Sequence, residues 1–520
     1  MIPLVSSLLL GPTRPPDLET LSQLESAGFN EPLSAWMMLS ELASKTENIH
    51  AGRERFSALA DAIVGSYDPT RALNNLYVIL TNSQNQTASK ILTLFSDSPL
   101  EAQALTCICS GSQSLSMDLI QDPNRLLSLF NNQSWQSLGT REALAERSSF
   151  ITHGTDSFDE GMSALREFKR WESLHIAMCD LLKLVDTSEI LVRLADAADL
   201  CLQGAVNISS RVLEGQHGQP LLADGSPDGF CVIGMGKLGG RELNFSSDID
   251  LLYVYDSPHG RTSVSGLSSY EYYPKLARMI TDAIHRITSE GFVFRVDLRL
   301  RPEGSAGDIA NAVEGYHRHY AARGQIWERQ ALIKARPIAG SQRTGDAFLS
   351  ALKPFVFDDQ SDPLILDEIN RNREKIAHAL LKRNSGAHHV KLGPGGIREI
   401  EFLTQGFQLI HTGVQQWPWE RGTLQALDWI TRQGYLGESE AQDLNDAYLF
   451  LRDLENRIQI AAGHQAHEIP SDTHSRNVLA RMMGIKGQGS DGPSETLLSR
   501  YKAHTDRVVS IYERVFHTVL

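Results

Sequence analysis

A chain of 520 residues is long enough for two to four domains, each able to bury its own core, and 41% hydrophobic with 22% charged residues is an ordinary globular balance rather than a disordered or fibrous one. A formal net charge of −14 argues against broad electrostatic binding to nucleic acid or an anionic membrane, so any polyanion has to be gripped locally. The five cysteines, Cys107, Cys109, Cys179, Cys201 and Cys231, form no pair of CxxC motifs, which speaks against a disulfide scaffold or structural zinc and predicts a reducing, cytoplasmic setting.

The opening MIPLVSSLLL has no basic stretch before its apolar run and no convincing cleavage site after it, so it reads as a flexible start or a docking strand. No run approaches the ~18 apolar residues of a spanning helix. From Leu18 to His217 the pattern is helical, with apolar residues three and four apart in segments such as Glu31–Ser44, Arg53–Tyr67 and Thr70–Leu80. No fixed internal period supports a solenoid. Ser157 and Glu160 form a capping-box pattern that starts a helix with Phe158, Met162, Leu165, Phe168, Met178 and Leu181 on its apolar stripe. A second long helix is predicted from Thr187 to about Glu214, and the glycine- and proline-rich GQHGQPLLADGSPDG ends it.

The pattern then changes. Phe230–Ile233, Ile249–Tyr255 and Phe292–Leu300 read as strands, and a helix opening at the Ser268/Glu271 capping box lies between the last two. Its predicted buried stripe is Tyr273, Leu276, Ile280, Ile284 and Ile287, with Gly291 as its stop. After Pro337 helices return, at Gly345–Leu352, Leu364–Lys382, Ile397–His411, Thr423–Gln433, Ser439–Ala462 and Ser494–Val519. The expected architecture is mainly α with an embedded small α/β core, divided as a helical region 1–225, a core 226–345 and a helical region 346–520.

Two features of the core carry chemistry. Gly234, Gly236 and Gly239 match GxGxxG after a strand, and Asp256 stands about where a dinucleotide-binding fold has its ribose acid. Only about two helical turns fit between Gly240 and Asp248, however, whereas a parallel crossover needs a dozen or so residues. The glycines therefore serve either a tight turn alone or the close approach of a phosphate to backbone N–H groups, with Lys237 adding a positive charge. Asp248 and Asp250 stand two apart at a strand start, so both project from one face, where their repulsion calls for a cation such as magnesium. Asp297, in VFRVDLRLRP, shares a face with Arg295, Arg299 and Arg301 and would complete a two-metal site if placed beside the first strand.

GMGKLGGRELNFSSDIDL resembles the signature of the glutamine synthetase adenylyltransferase family, whose catalytic domains have the nucleotidyltransferase fold of DNA polymerase β. The resemblance continues through FVFRVDLRLRPEGSAG, WERQALIKARPIAG, VKLGPGGIREIEFLTQ and DAYLFLRDLENRIQ, and covers roughly Lys169 to Asp472. It implies magnesium on Asp248, Asp250 and Asp297. Gly236, Lys237, Gly239 and Gly240 are expected near the nucleotide phosphates, and Arg299 and Arg301 are candidates for phosphate binding or for an ion pair with Glu303. Family members typically carry two such domains, one removing AMP from a glutamine synthetase tyrosine and one adding it from ATP. The wording here resembles the removing half, which implies glutamine synthetase as protein substrate, phosphate and adenine nucleotide as small partners, and a PII-type signal protein as a possible regulator. AMP addition, or a non-catalytic regulatory module, are the rival readings. For Lys334 and Arg336 a site-facing and a salt-bridged role both stand open, and Arg398 and Glu401 are expected to brace domains rather than close over the site. His464 and His467 lack an evident acidic partner and are not expected to bind metal.

Overall fold

The computed structural model describes residues 15–46, 52–131, 135–153, 157–357, 364–382, 388–415, 419–488 and 491–518, so MIPLVSSLLL lies outside the described residues. Helix predominates at 68% of the chain, with small mixed sheets, as expected. The chain forms two compact units, each assembled from separate stretches.

One unit comprises Met1–Leu138, Leu174–Asp186 and Asp453–Arg500. Several of its helices begin with a proline at the first turn, as at Pro69 and Pro123, where the missing N–H costs nothing. Asp68 and Asp122 cap those starts by accepting from the amides of Arg71 and Arg125 at 3.1 and 3.2 Å. The apolar stripes converge on Phe56, Leu59, Ile63, Leu73, Leu76, Leu105 and Ile108, all fully buried. Arg457 is also fully buried, paired with Asp180 and lying 3.1 Å from Asp453.

The other unit comprises Gly139–Ser173, Thr187–Arg452 and Tyr501–Leu520. Its longest helix, α1 (Thr187–His217), runs three residues beyond the expected end. A five-stranded sheet follows: β1 (Phe230–Gly234), β2 (Ile249–Tyr255), β3 (Val296–Asp297), β4 (Ala310–Ala312) and β5 (Arg336–Gly340). The order is β3–β2–β1–β5, and β4 extends the β3 edge by pairing with the far end of β2. One four-residue helical turn, α2 (Gly236–Gly239), joins β1 to β2, and the two strands pair antiparallel with Phe230 opposite Tyr255. That pairing excludes the parallel crossover of a dinucleotide fold. Asp256 accordingly serves the backbone, accepting from Gly229 N at 2.7 Å and pairing with Arg343.

Helix α3 (Ser269–His285) opens with the predicted Ser268/Glu271 capping box and buries Tyr273, Leu276, Ile280 and Ile284. It stops earlier than the sequence suggests: Ile287 is exposed, and Gly291 (φ +86°) sits in a turn with Thr288 instead of closing the helix. The expected strand Phe292–Leu300 is correspondingly reduced to the two residues of β3. The C-terminal helices stand where expected, with Leu364–Lys382, α4 (Ile397–Gln415), Thr423–Arg432, α5 (Glu438–Ala462) and Pro493–Thr518, and among the described residues no helix is long and apolar enough to cross a membrane.

Candidate active site

The first residues of β2 are clamped on both sides. On one side Met235 N donates to Asp250 O at 2.9 Å, which fastens the glycine turn to the strand. On the other, Ile249 N donates to Arg295 O at 2.9 Å, and β3 pairs in parallel with Asp250 directly opposite Asp297. The parallel register thus brings together two carboxylates 47 residues apart in sequence. Asp248 precedes the strand and shares the neighbourhood, raising the electrostatic cost of ionising Asp250.

Burial, and then the charge of Asp297, push the Asp250 carboxyl up to about 6. Lys391 and Arg398 act in the opposite sense. Asp297 behaves differently, because hydrogen bonds from Arg299 hold it below the usual carboxylate range: Nε and Nη2 reach Oδ2 at 2.9 and 2.5 Å, and the backbone N reaches Oδ1 at 2.8 Å. Asp248 pairs with Arg295. Each outer carboxylate thus has an arginine beside it, while the central one is short of positive charge.

A hard divalent cation suits that charge pattern, since Asp250 and Asp297 are adjacent and Asp250 is destabilised as an anion. Among the described residues no three His, Cys, Asp or Glu side chains are gathered in ligating geometry. Ligation by all three aspartates therefore requires Asp248 and Asp297 to turn from Arg295 and Arg299. Arg299 is bound to Asp297 on one side and 81% exposed on the other, so solvent and small anions can reach its guanidinium.

The glycines divide into two roles. Gly236 has φ +52°, and a Cβ there would stand 2.8 Å from Asp250 Oδ2, so the turn needs glycine both for its backbone and for its approach to the carboxylate. Gly239 packs against the backbone of Lys334, and Gly240 lies near Arg421 O. The amides of Gly239 and Gly240 donate to Met235 O and Gly236 O, both at 3.0 Å, within α2. Lys237 Nζ donates to Asn244 Oδ1 at 2.6 Å. Arg301 holds its own loop, donating to the carbonyls of Leu298, Ser305 and Gly307 at 2.7, 3.1 and 3.2 Å. The anticipated pair with Glu303 is not formed, because Glu303 faces Arg323 at 2.9 Å.

Behind this turn lies a buried charge cluster in which Lys334 takes the salt-bridged one of its two open roles. Lys334 Nζ is 2.7 Å from Glu242 Oε2, 3.3 Å from Glu401 Oε1 and 3.2 Å from Thr423 Oγ1. Burial would depress the lysine, but the two carboxylates outweigh it and hold its pKa up. Arg452, on α5, donates to Glu242 O and to Asn244 Oδ1, the latter at 2.8 Å. Arg336 is salt-bridged too, to Asp199 at 2.7 and 2.9 Å, and it also donates to the carbonyls of Leu238 and Gly239. Arg398 and Glu401 lie 3.8 Å apart, and Gln405 accepts from Gln330 at 2.8 Å, so this part of α4 braces the unit while Arg398 also bears electrostatically on Asp250. His467 has an acidic partner after all, Glu455 at 2.8 Å. Sequence reasoning missed Glu242, Lys391 and Arg452; all three lie in quoted motifs, but a buried pair and an exposed one look alike in sequence.

Residues 102–351 match the family model described as glutamate-ammonia ligase adenylyltransferase, and residues 367–516 match a second one, GlnD PII-uridylyltransferase. The first match begins well ahead of Lys169, in helices where little family signal was legible. Similar curated proteins include the bifunctional glutamine synthetase adenylyltransferase/adenylyl-removing enzymes of Nitrosococcus oceani (33% identity over 432 residues, 81% of this chain and 43% of the relative) and Thioalkalivibrio sulfidiphilus (35% over 382 residues, 74% and 39%). That of Xanthomonas campestris pv. campestris strain B100 is 38% identical over 325 residues, 62% of this chain and 35% of the relative. The chain spans less than half the length of these relatives. With the family's motifs in order around the paired aspartates, the chain belongs to the glutamine synthetase adenylyltransferase family.

Proposed function

We propose that this chain removes AMP from an adenylylated tyrosine of glutamine synthetase by magnesium-dependent phosphorolysis. The observation that carries the phosphoryl-transfer chemistry of this reading is the in-register pair of Asp250 and Asp297, with Gly236 against Asp250. An oxygen of inorganic phosphate attacks the α-phosphorus of the adenylyl group, the P–O bond to tyrosine breaks, and the products are ADP and a tyrosine phenolate that takes a proton from solvent. With a parent pKa of about 10, the phenolate is a reasonable leaving group, so charge neutralisation and alignment are the main tasks. Asp248, Asp250 and Asp297 would hold magnesium, which when bound supplies positive charge to the phosphoryl oxygens. Arg299 offers an exposed guanidinium to the attacking phosphate once it leaves Asp297, while Lys391 and Arg398 add positive charge around Asp250.

The printed names of the relatives carry both AMP addition and AMP removal, and the removing reading rests on the wording of the motifs at 244–251, 327–337 and 395–402. The match at 367–516 to a model named for a PII-uridylyltransferase supports a PII-type signal protein as partner of the C-terminal helices. Incubating the purified chain with adenylylated glutamine synthetase, magnesium and phosphate tests the proposal, and ADP is the expected product. Labelling of unmodified synthetase by ATP, with no ADP from the adenylylated form, would reverse the direction. An Asp248→Asn, Asp250→Asn double variant that still released ADP at the wild-type rate would remove the assigned site.

A further inference from the structure

At the C-terminal end of α2, away from the paired aspartates, the same unit carries a half-open cleft of about 450 Å³, the size of a small-metabolite site. Three guanidiniums, Arg241, Arg336 and Arg421, line it together with two carboxylates, Glu242, which is paired with Lys334 at 2.7 Å, and Glu420. Two are matched, Arg241 by Asp196 at 2.6 Å and Arg336 by Asp199 at 2.7 Å. Arg421 has no carboxylate within 4 Å among the described residues. Its Nε donates to Ala335 O at 2.6 Å and its Nη1 reaches only Trp419 O, at 3.5 Å. Burial and the neighbouring Arg336 both weigh against its charge, and Glu420 offsets part of that.

The walls are built with unusual backbone. Four non-glycine residues have left-handed φ among the described residues, and two of them, Arg241 (+57°) and Trp419 (+56°), line this cavity. Such conformations persist where the surroundings over-determine them, which is common at binding sites. Trp419 is held by its indole N–H on Ile333 O at 2.8 Å, and its ring centre lies 5.2 Å from the Arg421 guanidinium. A fixed aromatic beside an under-neutralised arginine presents both an apolar wall and a charge to a small ligand.

We propose that this cavity binds a small anionic metabolite, a carboxylate or a phosphate ester, with Arg421 taking its charge. Arg336 links the cavity to the catalytic turn. It donates to Leu238 O at 2.9 Å and Gly239 O at 3.1 Å, the last residues of the turn whose first residue abuts Asp250. An anion drawn to Arg421 competes for the neighbouring Arg336 and so acts on α2. The site stands independently of the direction of the reaction proposed above.

The test is calorimetric titration of the full chain carrying Asp250→Asn, which keeps the paired aspartates from responding, with inorganic phosphate and, separately, with succinate. Saturable binding of either probe is expected, and the probe that binds names the class. Arg421→Gln should weaken it by roughly tenfold or more through loss of a charge-assisted contact. Ser188→Trp, at an exposed position on the rim, should block the cavity without touching the core, and a wild-type melting curve for that variant shows that it is folded. Absence of saturable binding by both probes, or binding unchanged in Arg421→Gln and Ser188→Trp, overturns the proposal.

Discussion

Replacing Lys334 with methionine separates charge from packing at the centre of the unit that carries the paired aspartates. Methionine keeps an unbranched stem of similar volume, so the loss is the ammonium rather than a filled space. Lys334, Glu242 and Glu401 have side chains only 6, 7 and 6% exposed, and the substitution leaves two buried carboxylates without their shared cation. Burial alone would raise Glu401; Lys334, with smaller help from Arg398, Lys237 and Arg452, reverses this and holds it down at about 2 against an ordinary 4.5. At about 1.4 kcal/mol per pH unit that difference amounts to ~3 kcal/mol of stability near neutral pH, within the ~3–5 kcal/mol typical of breaking a buried ion pair. Because the folded pKa is depressed, the wild-type contribution is complete above about pH 4.5 and is lost as pH falls toward 2. In Lys334→Met burial is no longer opposed by the lysine, so Glu401 titrates above its unfolded value and the variant loses stability as pH rises from about 5 to 8. Urea unfolding at both pH values reads this directly. A loss below ~1 kcal/mol at pH 8, or an equal loss at both pH values, refutes the reasoning; adding Glu401→Gln should recover the part due to Glu401 and leave that of Glu242.

Asp250 gives the opposite sign. Its folded pKa, about 6 against 3.8, means that its ionised form opposes folding at neutral pH, so Asp250→Asn should stabilise the metal-free protein at pH 8 by up to ~3 kcal/mol. The gain should vanish below about pH 4, and magnesium should raise the melting temperature of wild type only; a variant less stable than wild type at pH 8 contradicts the assignment. Gly236→Ala places a Cβ 2.8 Å from Asp250 Oδ2 on a backbone at φ +52°, so it should cost ~1–2 kcal/mol and depress turnover with the circular dichroism spectrum unchanged. Unchanged turnover would show that the turn does not set the position of Asp250. In the other unit, Arg457→Met strands Asp180 and should lower stability by ~3–5 kcal/mol, and a urea midpoint unmoved from wild type would deny the pair any structural role.

Much was legible in the sequence because it is locally encoded. Apolar spacing placed Leu364–Lys382 at its observed limits and Ile249–Tyr255 likewise, and the capping boxes at Ser157 and Ser268 formed as written. The nine residues between Gly239 and Ile249 were too few for a crossover, which was enough to reject the dinucleotide reading of the glycines. Local pattern failed where tertiary contacts overrode it. Phe292–Leu300 alternates like a strand, yet only Val296 and Asp297 find a partner along β2, whose far end is taken by Ala310–Ala312. Ile287 continues the helical stripe of α3, but the helix has already ended at His285 and left it in solvent.

By itself, then, the sequence determined the helical frame and the glycine turn and singled out Asp248, Asp250 and Asp297 as candidates, because spacing and residue type act over a few residues. Only the tertiary structure decided that Asp250 stands opposite Asp297, that Lys334 is buried between Glu242 and Glu401, and that Arg421 has no carboxylate within 4 Å among the described residues. Those outcomes depend on which charges the packing removes from water together. The energies that make them matter arise from that shared desolvation and not from any residue's own chemistry.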